Sequence, residues 1–133
     1  MTNKTDVALV IVNKLKALVT GGDGKARIYR NTFPQLPALP VWPSIRYTFV
    51  STSPNLDICG DGGPETADYR VQIDVVDLES KGPTAFATLG DSVRTAMRDL
   101  LPLYVWEGEF DDFDAETKTN RLSLDYVVYL STP

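Results

Sequence analysis

The densest set of residues that could do chemistry is a run of six carboxylates within ten positions near the end of the chain. Its members are Glu107, Glu109, Asp111, Asp112, Asp114 and Glu116. Neighbouring carboxylates can serve as a general acid and base, or their oxygens can hold a divalent metal ion. Here Phe110 and Phe113 interrupt the run, and its spacing matches no recognised ligand pattern. We interpret residues 107–116 as a solvated or partner-facing polar turn, with a small metal-binding α+β domain as the alternative.

A second candidate lies in the Gly-rich segment at residues 54–66. Four residues between Asp57 and Asp68 match positions one, five, six and twelve of a calcium-binding loop: Asp57, Asp61, Gly62 and Asp68. Cys59 stands where a ligand is needed, and strands rather than helices are predicted on both sides. The chain has no histidine, so this lone cysteine also lacks its usual activating base. We interpret the segment as a long hairpin loop.

Composition and charge narrow the class of protein. A chain of 133 residues, 43% of them apolar and 23% charged, is typical of one globular domain, here residues 1–133. The absence of histidine removes the commonest general base, and a net charge of −5 works against binding phosphate backbones. No apolar stretch approaches the roughly 20 residues of a membrane span. We expect no enzymatic activity, no cofactor and no membrane contact.

Charge is distributed unevenly along the chain. Residues 1–46 carry seven basic and two acidic groups, whereas residues 47–133 carry six basic and sixteen acidic groups. One interpretation is scatter over a folded surface. The other is that opposite faces of the domain differ in sign, which favours head-to-tail or ring contacts between copies.

Apolar periodicity predicts the elements that must position these residues. Apolar residues three or four apart indicate helices at residues 5–19 and 83–101. Alternation indicates strands at residues 26–31, 44–53, 69–75, 104–110 and 122–130, with a polar turn at 111–120. The predicted fold class is α+β, a mostly antiparallel four- to five-stranded sheet with two helices packed on one face.

In order and spacing, these elements resemble phage tail terminator, or tail completion, proteins of long-tailed phages and prophages. The features that carry the resemblance lie between about residues 5 and 101: Leu18-Val19-Thr20-Gly21, Arg27-Ile28-Tyr29, Leu36-Pro37-Ala38-Leu39-Pro40-Val41, Arg70-Val71-Gln72-Ile73-Asp74-Val75 and the helix from Phe86 to Leu100. The C-terminal third is less similar to the pattern.

The resemblance implies a structural subunit that forms a ring, usually a hexamer, on the finished tail tube. Such a ring ends tube polymerisation and joins the tail to the head connector. The implied partners are other copies, the tube protein and connector proteins, with DNA passing through the ring without specific binding. The implied location is the virion tail, and the host cytoplasm during assembly. A neck or head-closure protein of the same junction stays open as an alternative.

Contact residues are predicted from two sources. In related rings, long loops between strands project towards neighbours, which selects the loop at 54–65 and the acidic turn. Apolar residues out of phase with the core set, including Val50 and Val76, indicate a subunit contact over the open sheet face, or overflow of the core near strand ends. The predicted contact residues are Leu56, Ile58, Glu107, Glu109, Phe110, Asp111, Asp112, Phe113, Val127 and Tyr129.

Overall fold

The computed structural model describes residues 4–33, 41–53, 68–101 and 103–129. The two helices are α1 (Lys4–Leu15), which a 3-10 turn extends over Lys16–Val19, and α2 (Pro83–Arg98). The five strands are β1 (Ile28–Arg30), β2 (Ser44–Ser53), β3 (Asp68–Leu78), β4 (Tyr104–Asp114) and β5 (Thr119–Val128). The segment predicted as a Gly-rich hairpin loop, including Cys59, lies outside the described residues.

The five strands form one sheet in the order β1-β2-β3-β5-β4. The β2–β3, β3–β5 and β5–β4 pairs are antiparallel, whereas β1 runs parallel to β2. The predicted α+β class and the mostly antiparallel sheet are therefore confirmed. The parallel pair was not predicted. Among the described residues, β1 and β4 are the two edge strands of the sheet, and Val19 and Thr20 pair with residues 26 and 27 just before β1.

The core lies between the helices and one face of the sheet. Alternate residues of β3 (Val71, Ile73, Val75) and of β5 (Leu122, Leu124, Tyr126, Val128) all point to this face and are buried. The helices contribute five buried residues to the same cluster: Val7, Ile11, Leu15, Val93 and Met97. Fully burying a side chain of this size contributes about 1.5–3 kcal/mol, so the shared cluster fixes both helices over the sheet. Neither described helix is long and apolar enough to cross a membrane.

The C-terminal hairpin differs from its prediction. β4 continues to Asp114 and β5 begins at Thr119, so the predicted strand at 104–110 was too short and the predicted turn at 111–120 was wrong except at 115–118. Ten cross-strand pairs hold the two strands together. The Asp114 side chain accepts the N–H of Glu116 at 2.9 Å, and Lys118 has a positive φ of 54°, which closes the short connection. The acidic run was predicted as a turn because residues 109–114 of β4 are exposed on both faces.

The apolar residues that do not share the alternation of the core residues differ in how far they are buried. Val76 is buried on the face of the sheet away from the helices, whereas Val50 is exposed beside the irregularity between Phe49 and Ser51. Val127 lies on the same open face as Val76 and is half-buried. This face is therefore not one continuous apolar patch.

Candidate functional site

Three exposed aromatic rings and several exposed carboxylates come together on β4. This strand pairs with β5 on one side, and its other side is a sheet edge. Trp106, Phe110 and Phe113 are 49%, 53% and 47% exposed. Rings of this size usually lie in a core or an interface, so their exposure on one edge strand marks a surface for contact.

A β-bulge decides which side chains share a face of β4. Cross-strand pairing shifts between Trp106 and Gly108, which leaves Glu107 as the extra residue. As a result, Trp106 and Glu109 both lie on the helix-bearing face, opposite the buried Tyr126 and Leu124. Bulges of this kind re-aim the side chains beyond them and discourage pairing at an edge.

Beyond the bulge, the faces of β4 alternate. Asp111 and Phe113 follow Glu109 on the helix-bearing face, and Phe110 and Asp112 lie on the opposite, open face. Each face of this edge therefore presents an exposed aromatic ring together with a carboxylate. A partner that meets the edge from either side would encounter both kinds of group.

Arg94 attaches β4 to α2. Its Nη1 donates to Glu109 Oε1 at 2.8 Å, its Nη2 donates to Asp91, and its guanidinium lies 5.9 Å from the centre of the Trp106 ring. Burial lowers the pKa of Arg94, but hydrogen bonds and charge from Asp91 and Glu109 outweigh it and raise the pKa above its usual value. Glu109 is thus held by the protein's own cation.

A second arginine holds Asp112. Arg121 Nη2 donates to Asp112 Oδ2 at 3.0 Å across the hairpin, and the N–H of Phe113 donates to Asp112 Oδ1 at 2.8 Å. The Phe113 N–H first, and Arg121 second, lower the pKa of the Asp112 carboxyl. Within the described ranges, by contrast, the carboxylates of Glu107 and Asp111 have no hydrogen bond or ion pair. Among the described residues, these are the two carboxylates of β4 that have neither an internal hydrogen bond nor an ion pair.

A groove of about 360 Å³ runs between the start of α2 and β4. Its floor is apolar and its rim carries charged and polar groups. The lining residues are Pro83, Phe86, Ala87, Arg94, Glu109, Asp111, Asp112, Asn120 and Leu122. No three acidic or thiol side chains among the described residues converge in a way that could hold a metal ion. Because the strand directs alternate carboxylates to opposite faces and arginines hold two of them, this arrangement suits a macromolecular contact better than a metal centre.

The predicted contact residues divide into three groups. Glu107, Glu109, Phe110, Asp111, Asp112 and Phe113 lie together on β4. Val127 lies at the end of β5 and Tyr129 just beyond it, where Tyr129 is 41% exposed and its N–H donates to the Leu103 carbonyl at 2.8 Å. Leu56 and Ile58 lie outside the described residues.

Sequence reasoning missed three members of this surface. Trp106 was included in a predicted strand but not singled out, and its exposure follows from the position of β4 beyond the helices. Arg94 and Arg121 lie 15 and 9 residues from the carboxylates that they hold. The signal that could have found Arg121 was the opposite charge of Asp112 on the facing strand of a hairpin.

Together, the fold and the exposed edge define a small α+β protein with three exposed aromatic rings and several carboxylates on one edge strand. A family model described as Tail completion protein gp17 matches residues 7–131 of the chain. The match covers nearly the whole sequence, and the chain belongs to this family. The family consists of phage tail completion proteins, which are structural parts of the virion tail and are not typically enzymes. A comparison with curated proteins finds no match.

Proposed function

We propose that this protein is a tail terminator, which assembles with copies of itself into a closed ring on the end of the tail tube. The ring ends tube polymerisation and provides the surface to which the head connector attaches, with six copies as the expected number. The observation that carries the proposal is the family match over residues 7–131. It agrees with the absence of histidine from the whole chain, which leaves no obvious acid–base machinery.

The geometry of β4 supports an assembly role. The three aromatic rings on this sheet edge leave apolar area in water, and contact with another molecule would bury it. Aromatic residues are enriched in the buried centres of protein interfaces. The partners proposed for this surface are a neighbouring copy, the tube protein or a connector protein.

Electron microscopy of particles made without this protein tests the proposal. Loss of a terminator should give tails longer than normal and of variable length, and the wild-type gene supplied in trans should restore a single length. Heads should fill normally but remain without attached tails.

The same experiment distinguishes the alternative role at this junction. Loss of a neck or head-closure protein should leave tails of normal length together with heads that lose their DNA. Tails of uniform, normal length in the absence of this protein would therefore reject the terminator role.

A further inference from the structure

We propose that the two edges of the sheet are the two halves of one interface, so that β4 of one copy docks against the basic edge around β1 of the next. This inference rests on the proposed ring and names the surfaces that build it. The occupant of the β4 edge is thus a second copy of the same chain.

The acidic half of the interface is the edge of β4. Its free carboxylates are Glu107 and Asp111, and both side chains are exposed. Exposed aromatic rings lie on both of its faces, Phe113 with Asp111 and Phe110 with Asp112. No lysine or arginine occurs between Arg98 and Lys118, and Arg94 and Arg121 already hold Glu109 and Asp112, so a cation that pairs with Glu107 or Asp111 would come from another molecule.

The basic half lies at the opposite edge of the sheet. Lys25, Arg27 and Arg30 lead into β1 or belong to it, and Lys25 and Arg30 are exposed. Arg27 Nε donates to the Pro43 carbonyl at 2.8 Å, and Arg30 lies 4.9 Å from the centre of the Phe49 ring. None of these three cations forms an ion pair in the part of the chain that the structure describes. Their charge is therefore available to a neighbour.

The two halves also agree face by face. Arg30 is paired with Tyr47 on the helix-bearing face, which is the face that carries Asp111 and Phe113 on β4. Tyr29 is paired with Arg46 on the open face, which is the face of Phe110. If two copies meet edge to edge with their helix-bearing faces on the same side, an arginine meets a carboxylate on one face and two aromatic rings meet on the other.

Charge also determines the symmetry of this contact. Two β4 edges placed against each other would bring carboxylates together, and like charges in an interface oppose association. A contact between two different edges avoids this repulsion. Such a contact is heterologous, and repeating it around a closing rotation produces a ring.

Charge reversal on each edge tests the interface, using purified tail tubes that lack this protein. One variant carries Glu107→Lys with Asp111→Lys, and the other carries Lys25→Glu with Arg30→Glu. Each variant alone should reduce the number of copies bound at tube ends by about tenfold or more, because each ring contact becomes repulsive. An equal mixture of the two should restore capping to near the wild-type level. In the mixture, copies can alternate so that every contact joins opposite charges.

Two other charge reversals serve as matched controls for the edge variants. Glu79→Lys and Arg98→Glu reverse exposed charges that belong to neither edge strand and should bind tubes like the wild type, and thermal melting checks that every variant folds. If the wild type caps tubes in several copies and both edge variants do so equally well, the interface is wrong while the proposed function stands. Loss of capping without rescue in the mixture also overturns the interface. A wild-type protein that leaves tube ends bare rejects the proposed function and this inference together.

Discussion

Arg46 in β2 holds the carboxylate of Asp74 in β3, with 2.9 Å between Arg46 Nε and Asp74 Oδ2. The same carboxylate accepts hydrogen bonds from Gln72 Nε2 at 2.9 Å and from Ser123 Oγ at 2.6 Å. Asp74 is completely buried, although it lies on the face of the sheet away from the helices. This network links the three central strands where the apolar core does not reach.

Removing the buried charge should therefore destabilise the fold. In Asp74→Asn, the Arg46 guanidinium loses its ionic partner, and we expect the free energy of unfolding to fall by about 3 kcal/mol in urea denaturation. Asp125→Asn is the matched control, since Asp125 lies on the same face of the neighbouring β5 and is only half-buried. Its effect should stay within about 0.5 kcal/mol. Equal effects of the two substitutions would show that the network does not stabilise the sheet.

The contact between Arg94 and Glu109 predicts a local effect on β4. Arg94→Met removes the ion pair to the strand and the contact with Trp106, while its apolar stem can still pack. The pair is partly exposed, so the loss of global stability should be no more than about 1 kcal/mol. Amide hydrogen exchange over 106–113 should nevertheless become faster, with little change in β3. Arg98→Met on the same helix is the control, and equally fast exchange in that variant would contradict the role of Arg94.

The central strands could be predicted because one of their faces is buried. In β3, Val71, Ile73 and Val75 alternate with polar residues, and this pattern follows directly from helices covering one side. β4 beyond Phe110 was not predicted as a strand, because both of its faces meet solvent and its residues do not alternate between apolar and polar. The parallel direction of β1 is equally hidden, since three residues carry no signal of which way they pair.

The candidate site was predicted in part for a different reason. Glu107, Phe110 and Asp111 lie close in sequence, so any conformation of the segment would have kept them together. What sequence could not provide was their division between two faces, because the bulge at Glu107 reverses the alternation. The role of Arg94 likewise depends on how α2 packs over β4, which only the three-dimensional structure defines.

The pKa values of two buried tyrosines predict how the free energy of unfolding changes at alkaline pH. Burial, with a smaller contribution from Asp6, raises the pKa of Tyr104 to about 12, and burial raises that of Tyr126 to about 12. In the unfolded chain both lose their proton near pH 10, so between pH 10 and pH 12 the unfolded state binds fewer protons than the folded state. The free energy of unfolding should therefore be unaffected by these groups below pH 10 and fall as pH rises through this window.

The expected loss is up to about 2 kcal/mol for each tyrosine at the upper end of the window. Urea denaturation at pH values on both sides of the window measures it, and the difference in phenolate absorbance between the wild type and variants that lack Tyr104 or Tyr126 follows the titration of these two groups. The double variant Tyr104→Phe with Tyr126→Phe has no phenol to ionise at these positions, so its stability should decline less steeply. A decline as steep as that of the wild type would assign the alkaline sensitivity to other groups.

Phe110 allows the assembly role of β4 to be separated from its role in folding. The ring is about half exposed on the open face of an edge strand, so Phe110→Thr keeps a residue that favours strands and should change the free energy of unfolding by less than about 1 kcal/mol. In an interface the same ring would become buried, and its removal should reduce the number of copies on tail tubes several-fold. Val50→Thr, at a similarly exposed position on the inner strand β2, should leave both properties unchanged. Wild-type capping by Phe110→Thr would show that the ring is not covered in the assembled tail.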